Sequence, residues 1–164
     1  MTPTAAAAVK AAFTPEQEKQ LVAWTKKYPY TNLGLIEALR AAQSWHCQVQ
    51  PAAAARVAEL FGLPFSHVWG VATFFPTFTQ WKTGTQRVGI CHGLTCFLEG
   101  SNKAEKCLEK TFGVPKKKAT ADGKLSWEPM ECLGACEQAP ALQVNDRLVG
   151  KATEEAISKL KDQK

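Results

Sequence analysis

The sequence predicts an α+β fold in two modules, a small helical bundle followed by an α/β sandwich. Three observations carry that prediction. Up to about residue 80, apolar residues recur at helical spacing between proline and glycine stops; after Gly84 the period shortens to that of strands; and the later elements run in the order β-α-β-β-β-α. With 45% hydrophobic and 21% charged residues in a chain of 164, disorder throughout is excluded and one ordinary domain or two small ones are expected. The boundaries read as a flexible, alanine-rich tail over 1–13, a helical bundle over 14–80 and the α/β module over 81–164.

Thr14-Pro15-Glu16-Gln17 has the form of a capping box with proline at the first helical position, followed by Leu21, Trp24 and Tyr28 at helical spacing before Pro29 ends the run. A second helix begins near Asn32 with Leu35, Ile36 and Leu39 on one stripe. A third opens at Pro51, runs through AAAARVAELF and stops at Gly62. Ser66 reads as the cap of a fourth, which continues through HVWGVATFF to Pro76. Four short helices with brief loops make a bundle.

In the second module QRVGI, 86–90, alternates as a buried strand and runs into Cys91, and SNKAEKCLEKTFG, 101–113, is an amphipathic helix ending on a glycine. KLSWEPME is a second strand leading to Cys132, ALQVN a third, Asn145-Asp146 a turn and RLVG a fourth. A last helix from Thr153 has Glu154 and Glu155 in its first turn and Lys159 and Lys161 in its last, which suits the helix dipole. This order fits a thioredoxin-like sandwich. The first strand-helix connection and the connection between the second and third strands then leave one end of the sheet together.

Those two connections carry four of the six cysteines: Cys91 and Cys96 in ICHGLTC, Cys132 and Cys136 in ECLGACEQAP. No apolar run approaches the ~18 residues of a membrane span, and MTPTAAAAVKAAF has neither a charged n-region followed by a leucine-rich core nor an arginine, so a cytoplasmic location is expected. Cysteines there are more often reduced, metal-binding or redox-active than paired. Three readings of the four thiols stand, favoured in this order: an iron–sulfur cluster whose two irons each take two cysteines, a structural Cys₄ zinc, and a thiol–disulfide couple. C-x₃-C suits zinc while C-x₄-C lies just outside its usual spacing, and neither pair has the C-x₂-C of a redox couple. Gly93 and Gly134 inside the loops can turn backbone N–H groups toward sulfur, which favours the negatively charged cluster.

VATFFPTF, then CHGLTCFLEG, then ECLGACEQAPALQVND resemble, in order and spacing, the thioredoxin-like [2Fe–2S] subunit of NADH:quinone oxidoreductase, the E-type subunit family of complex I. The resemblance covers residues 14 to 160. It implies an electron-transfer subunit of an NADH dehydrogenase-type oxidoreductase, not catalytic alone, with a [2Fe–2S] cluster on Cys91, Cys96, Cys132 and Cys136. It further implies a flavoprotein partner holding FMN and NADH, other iron–sulfur subunits, and any membrane association being peripheral and through the complex. Relatives of the same architecture serve in NAD-linked hydrogenases and formate dehydrogenases. Two positions depart from the family pattern: Glu99 stands where a basic residue is usual, and His92 follows the first cysteine where a small residue is more common. Both bear on the cluster's potential and on the partner.

No glycine-rich phosphate loop follows a strand and no acid–base pair is evident, so NADH and flavin are expected on the partner alone. The Lys116-Lys117-Lys118 run and the net charge of +5 read as a solvated turn on a mildly basic protein, without nucleic-acid binding. Cys107 and Cys47 read as packing residues, Cys47 with partial exposure, and His92 is not expected as a ligand, since a Rieske-type iron needs two histidines. Trp24, Trp45, Trp69 and Trp81 read as core or module-joining residues. Phe74, Phe75 and Phe78 are denser than a short helix end needs, which suggests a docking surface in the bundle.

Overall fold

The capping box at Thr14 forms: Gln17 N donates to Thr14 Oγ1 at 3.3 Å, and Thr14 N donates to Gln17 Oε1 at 2.9 Å. It starts α1 (Pro15–Lys27) in a computed structural model that describes residue 9 and residues 12–162. The chain divides into two compact units after Trp81.

In the first unit a 3₁₀ turn (Thr31–Gly34) precedes α2 (Leu35–His46), and α3 (Pro51–Phe61) and α4 (Phe65–Phe74) follow. Leu21, Leu39, Val57 and Val68 are fully buried in its core. The expected stripe on α2 holds at Leu35 and Leu39 but not at Ile36, which is exposed; the 100° step per residue gives the inner positions to Ala38 and Ala42. The fourth helix starts after Pro64, whose fixed φ makes it the extended residue before the helix, so Ser66 is inside α4 and not its cap. Most of the expected tail lies outside the described residues. Within it Val9 and Phe13 are buried, Phe13 edge-on to Trp45 at 5.8 Å, so residue 13 belongs to the bundle core.

Arg56 ties α3 to α1 with a forked pair to Glu18, Nε to Oε1 at 2.6 Å and Nη2 to Oε2 at 3.0 Å, and that hydrogen-bonded guanidinium holds the Glu18 carboxyl below its ordinary range. Gln43 fixes the segment after α4: its Nε2 donates to Thr77 O at 2.7 Å and its Oε1 accepts from Thr79 N at 2.7 Å.

The second unit is a four-stranded sheet of order β2-β1-β3-β4: β1 (Gln86–Cys91), β2 (Leu125–Met130), β3 (Ala141–Val144) and β4 (Arg147–Lys151). Between β1 and β2 come a short helix α5 (Leu94–Leu98) and the amphipathic α6 (Ser101–Phe112); α7 (Glu154–Asp162) follows β4. β1 runs parallel to β2 and antiparallel to β3, the mixed pattern of a thioredoxin-like fold. Val88 and Ile90 face the helices, Gly89 has no side chain to expose and lies against Met130, and Cys91 enters the cysteine cluster, so Val88 through Cys91 are all buried in place of the expected alternation. Pro129 is tolerated in β2 because β2 is an edge strand, where a missing N–H costs no ladder bond. Before β1, a side chain at Gly84 would stand 2.6 Å from the backbone carbon of Leu125, so only glycine admits this approach. Val88, Ile90, Leu108, Trp127, Leu142 and Ile157 form the core under α6 and α7.

Candidate metal centre

Parallel register sets Cys91 opposite Met130, so β1 and β2 end side by side and the segments that follow leave from the same end of the sheet. Cys91 is the last residue of β1. Cys96 is carried back toward it by α5, a turn of helix too short to show a period. Cys132 stands two residues beyond β2, and Cys136 opens a 3₁₀ turn (Cys136–Gln138) that leads through a cis Ala139–Pro140 bond into β3. All four are free thiols.

The pairs differ in depth. Cys91 and Cys96 are buried among Ala135, Ala139 and Ala141, with Leu133 packed against them, while Cys132 and Cys136 are exposed. The loops converge: a Cβ placed on Gly93 would lie 3.5 Å from Cys91 Sγ and 3.6 Å from Cys132 Sγ. Backbone N–H groups reach three of the sulfurs. Gly93 and Leu133 donate to Cys91 Sγ at 3.4 and 3.5 Å, Gly134 to Cys132 Sγ at 3.4 Å, and Ala141 to Cys96 Sγ at 3.4 Å. Gly134 reaches its sulfur from the left-handed region, φ +71°, whereas Gly93 does so from φ −59° and needs no special freedom.

These contacts set the thiols apart chemically. Burial pushes Cys91 up, but the amides of Leu133 and Gly93 and the neighbouring Cys96 and Cys132 outweigh it, so the Cys91 thiol lies below its ordinary value. Cys96 lies above its own: burial raises it, the Ala141 amide lowers it, and Cys91 and Cys136 raise it further. Four sulfurs that perturb one another are one site. Amides aimed at sulfur favour thiolate, the form that ligates metal, and offset part of the negative charge that four thiolates bring.

Among the described residues no group of three or more His, Cys, Asp or Glu side chains is arranged to hold a single metal ion. Two pairs of soft thiolates, one inner and one outer, suit a group with two irons that each take two cysteines. His92 points away from this role, its Nε2 bonded to Glu105 of α6. Glu99 is exposed at the C-terminal end of α5, one residue before Gly100 caps α6. Cys107 sits half-buried at the edge of the core, its Sγ 3.8 Å from Thr111 Oγ1, and Cys47 ends α2 half-buried at φ 56°. Neither joins the four. The Leu133 and Ala141 amides carry no sequence signal, since any residue but proline supplies an N–H; only the fold selects them.

The family model for thioredoxin-like [2Fe–2S] ferredoxins matches residues 21–163. The chain belongs to that family. Among similar family members, the E-type NADH-quinone oxidoreductase subunit of Aquifex aeolicus is 31% identical over 134 residues, 82% of this chain and 84% of that one. The subunit of the same name in Rickettsia felis is 36% identical over 107 residues, 65% and 64% of the two chains, and that of Pseudomonas aeruginosa 32% over 125 residues, 76% and 75%. Among solved structures, an NAD⁺-reducing [NiFe]-hydrogenase in the H₂-reduced state superposes with a TM-score of 0.66 at 25% identity, covering 79% of this chain. This chain spans 22% of that hydrogenase chain's length. Membership of the ferredoxin family makes the [2Fe–2S] cluster the cofactor, and the thiol and amide arrangement fits it. No helix among the described residues is long and apolar enough to cross a membrane.

Proposed function

We propose that this chain is the electron-transfer subunit of an NADH-oxidising complex of the NADH:quinone oxidoreductase type, holding one [2Fe–2S] cluster on Cys91, Cys96, Cys132 and Cys136 beside the flavin of a partner subunit. The observation that carries the reading is the convergence of two thiol pairs at one end of a parallel strand pair, with four backbone amides on three sulfurs. The cluster supplies one-electron chemistry when bound. The chain's own residues do the rest. Ala135, Ala139 and Ala141 keep water from the inner pair, and the amides stabilise negative charge at sulfur. The outer pair opens toward a partner, and α5 turns Leu94 and Leu98 outward beside Cys96, 77% and 75% exposed, as apolar surface for that partner to cover.

The same arrangement serves a second reading, the equivalent subunit of an NAD-linked hydrogenase, which the likeness to the hydrogenase structure supports. In either reading this chain carries electrons and leaves nicotinamide and flavin to a partner, together with further iron–sulfur subunits. The first unit offers a second docking surface on α4, which has no Asp, Glu, Lys or Arg: Phe65 is 45% and Phe74 77% exposed, Phe65 stacking on Trp69 and Phe74 edge-on to Phe75.

Co-purification with an FMN- and NADH-binding subunit tests the proposal. NADH is expected to bleach the cluster in the complex and to leave the isolated chain oxidised, and Phe74→Ser is expected to weaken co-purification while the cluster spectrum of the chain stays unchanged. Reduction of the isolated chain by NADH, or a complex indifferent to Phe74→Ser, would contradict it.

A further inference from the structure

Charge on α6 is sorted by face. Glu105 and Glu109 line one groove with Lys116 and Trp127, while Lys103 and Lys110 line another, between α6 and α7. Lys106 borders both. The second groove is a trough of about 490 Å³ whose far wall is α7, with Glu154, Ser158 and Lys161. Lys103, Lys106 and Lys110 stand at i, i+3 and i+7, so their Cβ atoms share one face of the helix and span about 10 Å along its axis. Like charges at this spacing work against the helix that bears them. Among the described residues none of these three lysines has an ion-pair partner, and the intrahelical pair of α7, Lys159 with Glu155 at 2.8 Å, lies outside the trough. Among the described residues Glu154 is the one carboxylate lining it, against four lysines.

We propose that the α6–α7 trough is a docking groove for an acidic stretch of a partner protein. A row of ammonium groups over about 10 Å matches a row of carboxylates, which recur every ~7 Å on one face of an extended strand and every ~6 Å at i, i+4 on a helix. A compact phosphate would leave most of that row unused, and the lining has lysine point charges in place of the arginine forks that clasp phosphate oxygens in pairs. Hydroxyl-bearing Thr111 and Ser158 and the half-buried Cys107 line the same trough. The inference is independent of what the four clustered cysteines hold.

Binding of a fluorescent oligoglutamate peptide to the full-length protein with its cluster in place, followed by anisotropy at low ionic strength, tests it. A Lys103→Gln/Lys110→Gln/Lys161→Gln variant is expected to bind about tenfold more weakly. The Lys116→Gln/Lys117→Gln/Lys118→Gln variant, which removes the same charge from the neighbouring loop, is expected to bind nearly as the wild type. Far-UV circular dichroism and the cluster spectrum should be the same in all three proteins, because the substituted lysines are exposed. Equal loss in both variants would reduce the effect to net charge, and no binding to the wild type would remove the groove altogether. Displacement of the peptide by equimolar pyrophosphate would make the trough a phosphate site. Each of these three results overturns the proposal.

Discussion

Cys132→Ser is expected to lose or severely destabilise the iron–sulfur cluster, while Cys107→Ser and Cys47→Ser keep it. Cys132 lies in the loop after β2, its Sγ in reach of the Gly134 amide and beside the approach of Gly93 to Cys91. Serine in its place presents a hydroxyl that stays protonated at neutral pH, so one iron loses half of its protein ligands. Cys107 and Cys47 are outside the thiol group, and each loses no more than half-buried contacts on substitution, an effect of about 1 kcal/mol or less on stability. Iron per chain after anaerobic purification checks the set. If Cys107→Ser loses iron as completely as Cys132→Ser, the ligand assignment is wrong.

Trp127→Ala should be the most damaging change away from the cysteines. Trp127 is 2% exposed at the centre of the second core, and its Nε1 donates to Val114 O at 2.8 Å. Truncation leaves a cavity and an unpaired carbonyl, together about 3–5 kcal/mol, out of a typical domain stability of ~5–15 kcal/mol. Trp127→Phe keeps most of the ring and loses the hydrogen bond, so it should cost about 1–2 kcal/mol. Urea unfolding followed by circular dichroism distinguishes these values. An alanine variant within about 1 kcal/mol of wild type would mean that the core is not organised around this indole.

Where the sequence was readable, its signals were chemical and local: the capping residues of α1, the glycine ends of α3 and α6, and the cysteines at strand ends. The thioredoxin-like order followed from element types alone, because a parallel β-α-β pair and an antiparallel hairpin leave few ways to share one sheet. What escaped were features that depend on packing or on lengths too short for a period. α5 is five residues between two cysteines and shows no stripe. Ile36 and Ala38 exchange places because packing centres the inner face of α2 on Leu35, Ala38, Leu39 and Ala42, which leaves Ile36 at its exposed edge. Phe13 reads as part of an alanine-rich arm until Trp45 is seen against it. In the site, Gly134 was legible because a left-handed turn wants glycine, whereas the amides of Leu133 and Ala141 and the bond between Glu105 and His92 belong to the tertiary fold.

Iron, acid-labile sulfide and zinc measured on the same purified wild-type sample, with an EPR spectrum before and after dithionite, decide between a two-iron cluster and zinc on the four converging thiols. The expected result is about two irons and two sulfides per chain, a coloured protein silent as purified, and one unpaired electron per chain on reduction. A colourless protein carrying about one zinc per chain, with no signal after dithionite, would contradict the two-iron cluster and make the site a structural Cys₄ zinc.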